Sequence, residues 1–357
     1  MIRIESQPYP PCPNGVITLK IHLAFCLFLL TAQANWVWGG PVRLVYDTDI
    51  GNDVDDVLAL GMIHSLESKG LCRLLSVTIT KDHYLSAPFT DAVNTFYGRG
   101  EIPIGVVRDG PTKEASKFTE LARADSGFRY PHDLRNGNQA QEAVSLLREI
   151  LVEQPDNSVV AVQVGFSTNL NRLLHSPPDQ YSPLNGLQLV RQKVKLLSMM
   201  GGSFSPIRGN TRFSEYNIRK DIFSAKGLIE NWPTQIVLSG FEIGLAITYP
   251  AQSIQKDFGY VEYHPIAEAY WLYNPPPHNR PTWDLTSVLY AVMPERGFFD
   301  LSDPGRVVVE DDGHTKFNPN VMGLHRYLKI NEDQIIRIRE ALVHLASQPP
   351  DRRADSK

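Results

Sequence analysis

The segment Asp47-Thr48-Asp49-Ile50-Gly51-Asn52-Asp53-Val54-Asp55-Asp56 places five carboxylates within ten residues. An apolar, strand-like run, Val42 to Tyr46, leads into it, and a helix-like run, Val57 to Ile63, leads out. Five negative charges at one strand-to-helix turn repel one another unless something neutralises them. A hard divalent cation held by carboxylate oxygens is the natural solution. Gly51 permits a backbone turn that other residues resist. The Asp55-Asp56 pair sits where a helix begins, and free N–H groups there favour negative charge. Capping alone is a poor account, because a cap needs one carboxylate and not five. A helix-loop-helix calcium loop also fits badly. It needs a preceding helix and a Glu at its twelfth position, whereas position twelve is Leu58 counted from Asp47 and Leu60 counted from Asp49.

Beyond this turn, strand and helix signals alternate. Strands are expected at Val42–Tyr46, Leu74–Ile79, Val159–Val164, Val194–Met199 and Thr234–Leu238. Helices are expected at Asp55–Ser68, Pro88–Tyr97, Gln139–Gln154, Thr168–His175, Asp221–Glu230, Asp284–Val292 and Glu332–Ser347. That order predicts an α/β fold, a single domain over 35–347 with a mostly parallel central sheet flanked by helices. Such sheets bind ligands beyond the carboxyl ends of their strands. Polar segments recur there: Asp47–Asp56, Thr80-Lys81-Asp82-His83, Gly165-Phe166-Ser167-Thr168-Asn169 and Met200-Gly201-Gly202-Ser203.

A net charge of −4, with no basic block interleaved with aromatics, argues against a nucleic-acid partner. The three cysteines, Cys12, Cys26 and Cys72, form no metal-ligand spacing and no disulfide framework. Lys20, the apolar run Ile21 to Leu30 and the small-residue site Ala32-Gln33-Ala34 read as an export signal over 1–34. That run is too short to span a membrane, so no stable anchor is expected and the mature chain would be periplasmic or secreted. The polar tail, 348–357, is expected to be disordered.

The first motif, with Asp55-Asp56, resembles the amino-terminal signature of the inosine-uridine-preferring nucleoside hydrolases. Further pieces follow in the family's order. Val164-Gly165-Phe166-Ser167-Thr168-Asn169-Leu170 looks like its Gly-Pro-x-Thr-Asn-Leu segment, and Met200-Gly201-Gly202 like its Met-Gly-Gly. Asn210 with Glu215-Tyr216-Asn217 looks like its sugar-binding Asn and Glu-Phe-Asn, and Asp284 like its late calcium-binding Asp. The resemblance implies a Ca²⁺-dependent hydrolase that cleaves the N-glycosidic bond of ribonucleosides to free base and ribose. Asp49 would ligate calcium and act as general base. Asp56, the Val164 carbonyl and Asp284 would be the other protein ligands. Asp55, Asn210, Glu215 and Asn217 would hold sugar hydroxyls, with Asp47 supporting from behind. A homodimer or homotetramer is the assembly it implies.

Three departures bear on this reading. Asn52-Asp53-Val54 lengthens the turn, so Asp53 either replaces or supplements a ligand, supports the site from behind as Asp47 would, or is a solvated loop carboxylate. His83 stands where many members have an Asn, facing either the substrate or the surface. Trp283 stands where base-protonating members have a His, and a Trp there resembles the purine-specific subgroup. Tyr84, Phe89 and Trp271 are candidate partners in a purine sandwich, and His264 and His278 candidate leaving-group acids. Two other readings compete: an exported nucleoside- or sugar-binding protein without catalysis, and a hydrolase of another N-ribosyl compound. A haloacid-dehalogenase-type phosphatase shares Asp-x-Asp after a first strand, but Gly51 stands where that family needs Thr or Val.

Overall fold

The apolar runs become the strands they predict. A computed structural model describes residues 40–123 and 129–351; the expected export signal lies outside the described residues. Seven strands run parallel: β1 (Val42–Thr48), β2 (Cys72–Ile79), β3 (Ile104–Val106), β4 (Gln141–Glu142), β5 (Val159–Gln163), β6 (Val194–Met200) and β7 (Gln235–Ser239). Their order across the sheet is β4-β3-β2-β1-β5-β6-β7. β1 therefore lies near the middle, where both faces are covered, and its last five residues are all buried. A separate ribbon pairs β8 (Thr248–Tyr249) with β9 (Arg280–Pro281).

The far edge of the sheet differs from expectation. β10 (Asp300–Leu301), β11 (Gly305–Val309), β12 (Thr315–Pro319) and β13 (His325–Lys329) extend it. β13 runs parallel to β7, while β10, β11 and β12 pair antiparallel. β12 and β13 are partly exposed and lack the continuous apolar runs that mark the central strands, while β11 carries only the short run Val307-Val308-Val309.

The helices are α1 (Asp55–Ser68), α2 (Ser86–Phe96), α3 (Ala143–Val152), α4 (Thr168–His175), α5 (Gly186–Lys193), α6 (Tyr216–Lys220), α7 (Ile222–Asn231), α8 (Phe241–Ala246), α9 (Ala251–Lys256), α10 (Pro265–Tyr273), α11 (Trp283–Val292) and α12 (Glu332–Ala346). α3 starts four residues later than its pattern suggests. Gln141 and Glu142 pair as β4, and Glu142 caps the helix by accepting from the Ser145 N–H. One apolar layer gathers α1, α11 and α12 on one face of the sheet, and a second gathers α3, α4, α5 and α7 on the other. α1 is buried from Asp55 to Leu66, so it is enclosed rather than a surface helix. No helix among the described residues is long and apolar enough to cross a membrane.

Candidate active site

The chain turns sharply after β1. Gly51 has φ +112°, and a Cβ there would meet Lys81 Cδ at 2.9 Å. Gly165, after β5, lies against the Asp49 backbone, where any side chain would collide. The two glycines let the turns after β1 and β5 close on each other. The carboxyl ends of β1, β5, β6 and β7 thus share one rim, and α11 brings Asp284 to it from the far end of the chain.

A cavity of about 390 Å³ opens at that rim, of a size suited to a small ligand. Asp49, Asp53, Asp55, Asp56, Val164, Glu215, Asn217, Trp283 and Asp284 all line it, so most of the expected site residues meet. Carboxylate oxygens of Asp55, Asp56 and Asp284 lie within 4.8 Å of one another. Asp49 shares the cavity without belonging to that tight group. Asp55 thus sits beside the metal-ligand candidates Asp56 and Asp284, in the same cavity as Glu215 and Asn217.

The bonding of the trio leaves room for a cation. Thr48 Oγ1 donates to Asp56 Oδ1, and the Asp284 N–H donates to Asp55 Oδ2 at 3.3 Å. Asp56 Oδ2 is buried and has no hydrogen-bond partner among the described residues. All three carboxyls are pushed well above the usual range, first by burial and then by neighbouring carboxylates: Asp53 beside Asp55, Asp49 and Asp55 beside Asp56, and Asp55 and Asp56 beside Asp284. Such a group must take up either protons or a cation. An all-oxygen donor set with an open oxygen suits a hard cation such as Ca²⁺.

Asp49 is held from the side. Asn52 Nδ2 donates to its Oδ2 at 2.7 Å, and the buried Lys81 Nζ donates to Asn52 Oδ1 at 2.6 Å. Burial raises Asp49 to about 6, with Asn52 and Lys81 opposing the rise. Asp47 stays behind the cavity, accepting from Thr78 Oγ1 at 2.5 Å and Asn169 Nδ2 at 2.9 Å, and burial takes it to about 7.

Glu215 caps α6, accepting from the N–H groups of Asn217 and Ile218 at 2.8 and 3.0 Å. Burial raises it to about 7 against those bonds. Asn217 Nδ2 donates to the Val164 carbonyl at 2.7 Å, so that carbonyl already has one partner and one lone pair to spare.

Two expected contacts are not brought into this cavity. Asn210 is exposed and lines an adjoining cavity, its Oδ1 accepting from the Arg212 N–H. His83 packs beside Tyr84 on a loop where Asp82 pairs with Lys113 at 3.2 Å. The suggested sandwich partners do not line it either: Phe89 is core, and Tyr84 and Trp271 are exposed elsewhere. His264 is buried against Tyr260, and His278 lies in the adjoining cavity.

Sequence reasoning named Trp283 but missed its neighbours at the aromatic end of the cavity. Phe241 lies 5.0 Å from Trp283 between ring centroids, and its carbonyl accepts from Trp283 Nε1 at 2.9 Å. Tyr273 and Arg280 complete that end, and Arg280 forms an ion pair with Asp53. Asp53 is therefore neither a member of the tight trio nor a solvated carboxylate. The one signal was that Asp53 is a surplus charge in need of a partner.

The model of the family described as inosine-uridine preferring nucleoside hydrolase matches residues 44–335, and the chain belongs to that family. The buried Asp55–Asp56–Asp284 group matches the Ca²⁺-binding motif of nucleoside hydrolases. An uncharacterized protein of Schizosaccharomyces pombe, C1683.06c, is 26% identical over 196 residues, covering 53% of this chain. The match spans 58% of that relative's length. The fold is similar to the plant nucleoside hydrolase PpNRh1 enzyme, with a TM-score of 0.63 and 18% identity over 87% of this chain and 100% of that one. It is also similar to the purine-preferring ribonucleoside hydrolase of Gardnerella vaginalis, with a TM-score of 0.63 and 16% identity over 85% and 99%.

Proposed function

We propose that the protein is a calcium-dependent hydrolase of the N-glycosidic bond of ribonucleosides, with a preference for purines. The observation that carries this reading is the buried trio with its open Asp56 oxygen, set in the same cavity as Asp49, Glu215 and Asn217. A bound Ca²⁺ would lower the pKa of an attacking water and orient it. Asp49 accepts that water's proton, and Asn52 fixes the carboxylate that does so. Asp55, Glu215 and Asn217 hold the ribose hydroxyls and its geometry. The ring passes through an oxocarbenium-like state, and the surrounding carboxylates favour its positive charge. The lean to purines rests on Trp283, Phe241 and Tyr273 in the same cavity, because flat bases stack on aromatic faces.

The test is release of reducing sugar from inosine, guanosine, adenosine, uridine and cytidine. Release abolished by chelator and restored by Ca²⁺ is expected. A folded, calcium-loaded protein that releases nothing from any of them overturns the reading. We also infer export directed by residues 1–34. Recovery of a chain beginning at Asn35 from outside the cytoplasm is the expected outcome, and an intact amino terminus inside it the contrary one.

A further inference from the structure

Asp53 grips Arg280 with both carboxylate oxygens. Arg280 Nε donates to Oδ1 at 2.9 Å, and Nη2 donates to Oδ2. Paired hydrogen bonds of this kind fix a guanidinium in position and orientation. Its plane is further bounded by aromatic rings, with its carbon 5.0 Å from the Tyr273 centroid and 5.2 Å from Trp283. Among the described residues lining the cavity, Arg280 is the one cation. It stands beside Trp283, where the leaving base is expected. The other donors named for that task are absent from the cavity: His264 is bound to Tyr260, and His278 lines the adjoining space. The Trp283 N–H is committed to the Phe241 carbonyl. Arg280 Nη1 has no hydrogen-bond partner among the described residues, so one face of the fork remains for a ligand.

We propose that Arg280 is the residue that meets the departing base, donating hydrogen bonds to it as negative charge builds there, and that Asp53 positions it. This rests on the hydrolase reading above. The C1′–N bond breaks and its electron pair goes to the base nitrogen. The new C1′–O bond comes from water, whose proton passes to Asp49. The base leaves as an anion held by the guanidinium and takes a proton from solvent. Arg280 keeps all its own protons, because a guanidinium does not deprotonate in this range.

The experiment compares kcat and KM on inosine and on p-nitrophenyl β-D-ribofuranoside, whose leaving group is a stable anion that needs no such help. The calcium-loaded variants are Arg280→Gln, Arg280→Lys and Asp53→Asn/Arg280→Gln. In Arg280→Gln, kcat on inosine is expected to fall about 100-fold or more, the scale of losing a donor to developing negative charge. The loss on the nitrophenyl riboside should be at least tenfold smaller. Arg280→Lys should lie between, and the double variant should match Arg280→Gln. Equal losses on the two substrates, or no loss on inosine, would overturn the inference. So would recovery of inosine turnover in the double variant, which would assign the damage to an unpaired Asp53. A wild-type protein inactive on both ribosides would sink the hydrolase reading itself, and this inference with it.

Discussion

The two ends of the cavity are built on opposite rules. At one end Asp55, Asp56 and Asp284 are nearly wholly buried, mutually repelling and short of a partner. At the other, Arg280 is paired with Asp53, stacked on Tyr273 and Trp283, and tied through Trp283 to the Phe241 backbone. The acidic end is incomplete as a set of side chains and becomes favourable only with a cation. The aromatic end, among the described residues, has its one positive charge paired as it stands, with only Arg280 Nη1 left for a ligand. The first should therefore be sensitive to what is bound, and the second to what is mutated.

The acidic end offers the largest effect. Asp284→Asn keeps the shape and removes one charge from the trio. It is expected to lower kcat by about 10³-fold, the upper range for losing a preorganised electrostatic group. Calcium affinity, read by isothermal titration, should fall with it. Retention of both calcium and turnover would show that the trio is a structural acid cluster. A smaller loss is expected at the aromatic end. Trp283→Ala should raise KM for inosine and guanosine more than for uridine, by about 5–150-fold, the equivalent of ~1–3 kcal/mol of lost stacking. Equal changes for purines and pyrimidines would mean that Trp283 acts as a wall and not as a platform.

The same contrast governs what could be read from sequence. The acidic end was legible because its residues follow buried parallel strands, which show as apolar runs ending in carboxylates. Val42–Tyr46, Val159–Val164 and Val194–Met199 each predicted the strand that is found, and with them the rim where Asp49, Asp56 and Val164 meet. Asp284 was reachable by the resemblance alone. The aromatic end comes from a short helix, a ribbon strand and a helix terminus, none with a periodic pattern. Arg280 and Asp53 are 227 residues apart, and no local rule pairs them. Asn210 failed to reach the first cavity because its loop turns outward, held by an Ile207–Asn210 backbone bridge. The far-edge strands β12 and β13 were invisible for the opposite reason to β1: half-exposed, they carry too few apolar residues to stand out.

Acidity separates the two ends further. Glu215 is raised to about 7 and Asp49 to about 6, in both cases chiefly by burial. In the unfolded chain the same groups ionise near pH 4. Stability tied to them is therefore complete below about pH 4 and is lost as pH climbs through 6 and 7. Chelated protein should melt at a lower temperature at pH 8 than at pH 5. For a domain this large, each kcal/mol moves the midpoint by about 2–4 °C or less. Calcium should remove much of that dependence by binding the ionised form, so its stabilising effect should grow with pH. Calorimetry at the two pH values, with and without Ca²⁺, measures the difference. A calcium effect equal at both would show that the buried carboxyls are ionised without it.

The smallest expected effect lies at Asn52, which bridges the two kinds of chemistry. Its amide gives one hydrogen bond to Asp49 at 2.7 Å and takes one from Lys81 at 2.6 Å, and it also donates to Thr112 Oγ1 at 3.1 Å. Asn52→Ala removes all three while leaving the metal trio and the aromatic wall untouched. Asp49 can still reach a water, but its rotamer is no longer fixed, and Lys81 is left buried without its acceptor. A single hydrogen bond contributes ~0.5–1.5 kcal/mol, so a roughly 2–10-fold loss in kcat is expected, with KM and calcium affinity unchanged. A rise in KM instead would place Asn52 on the substrate. A loss of calcium affinity would place Asp49 among the ligands, the role the resemblance implies for it. Either result would extend the acidic end beyond Asp55, Asp56 and Asp284 and redraw the line between the two halves of the cavity.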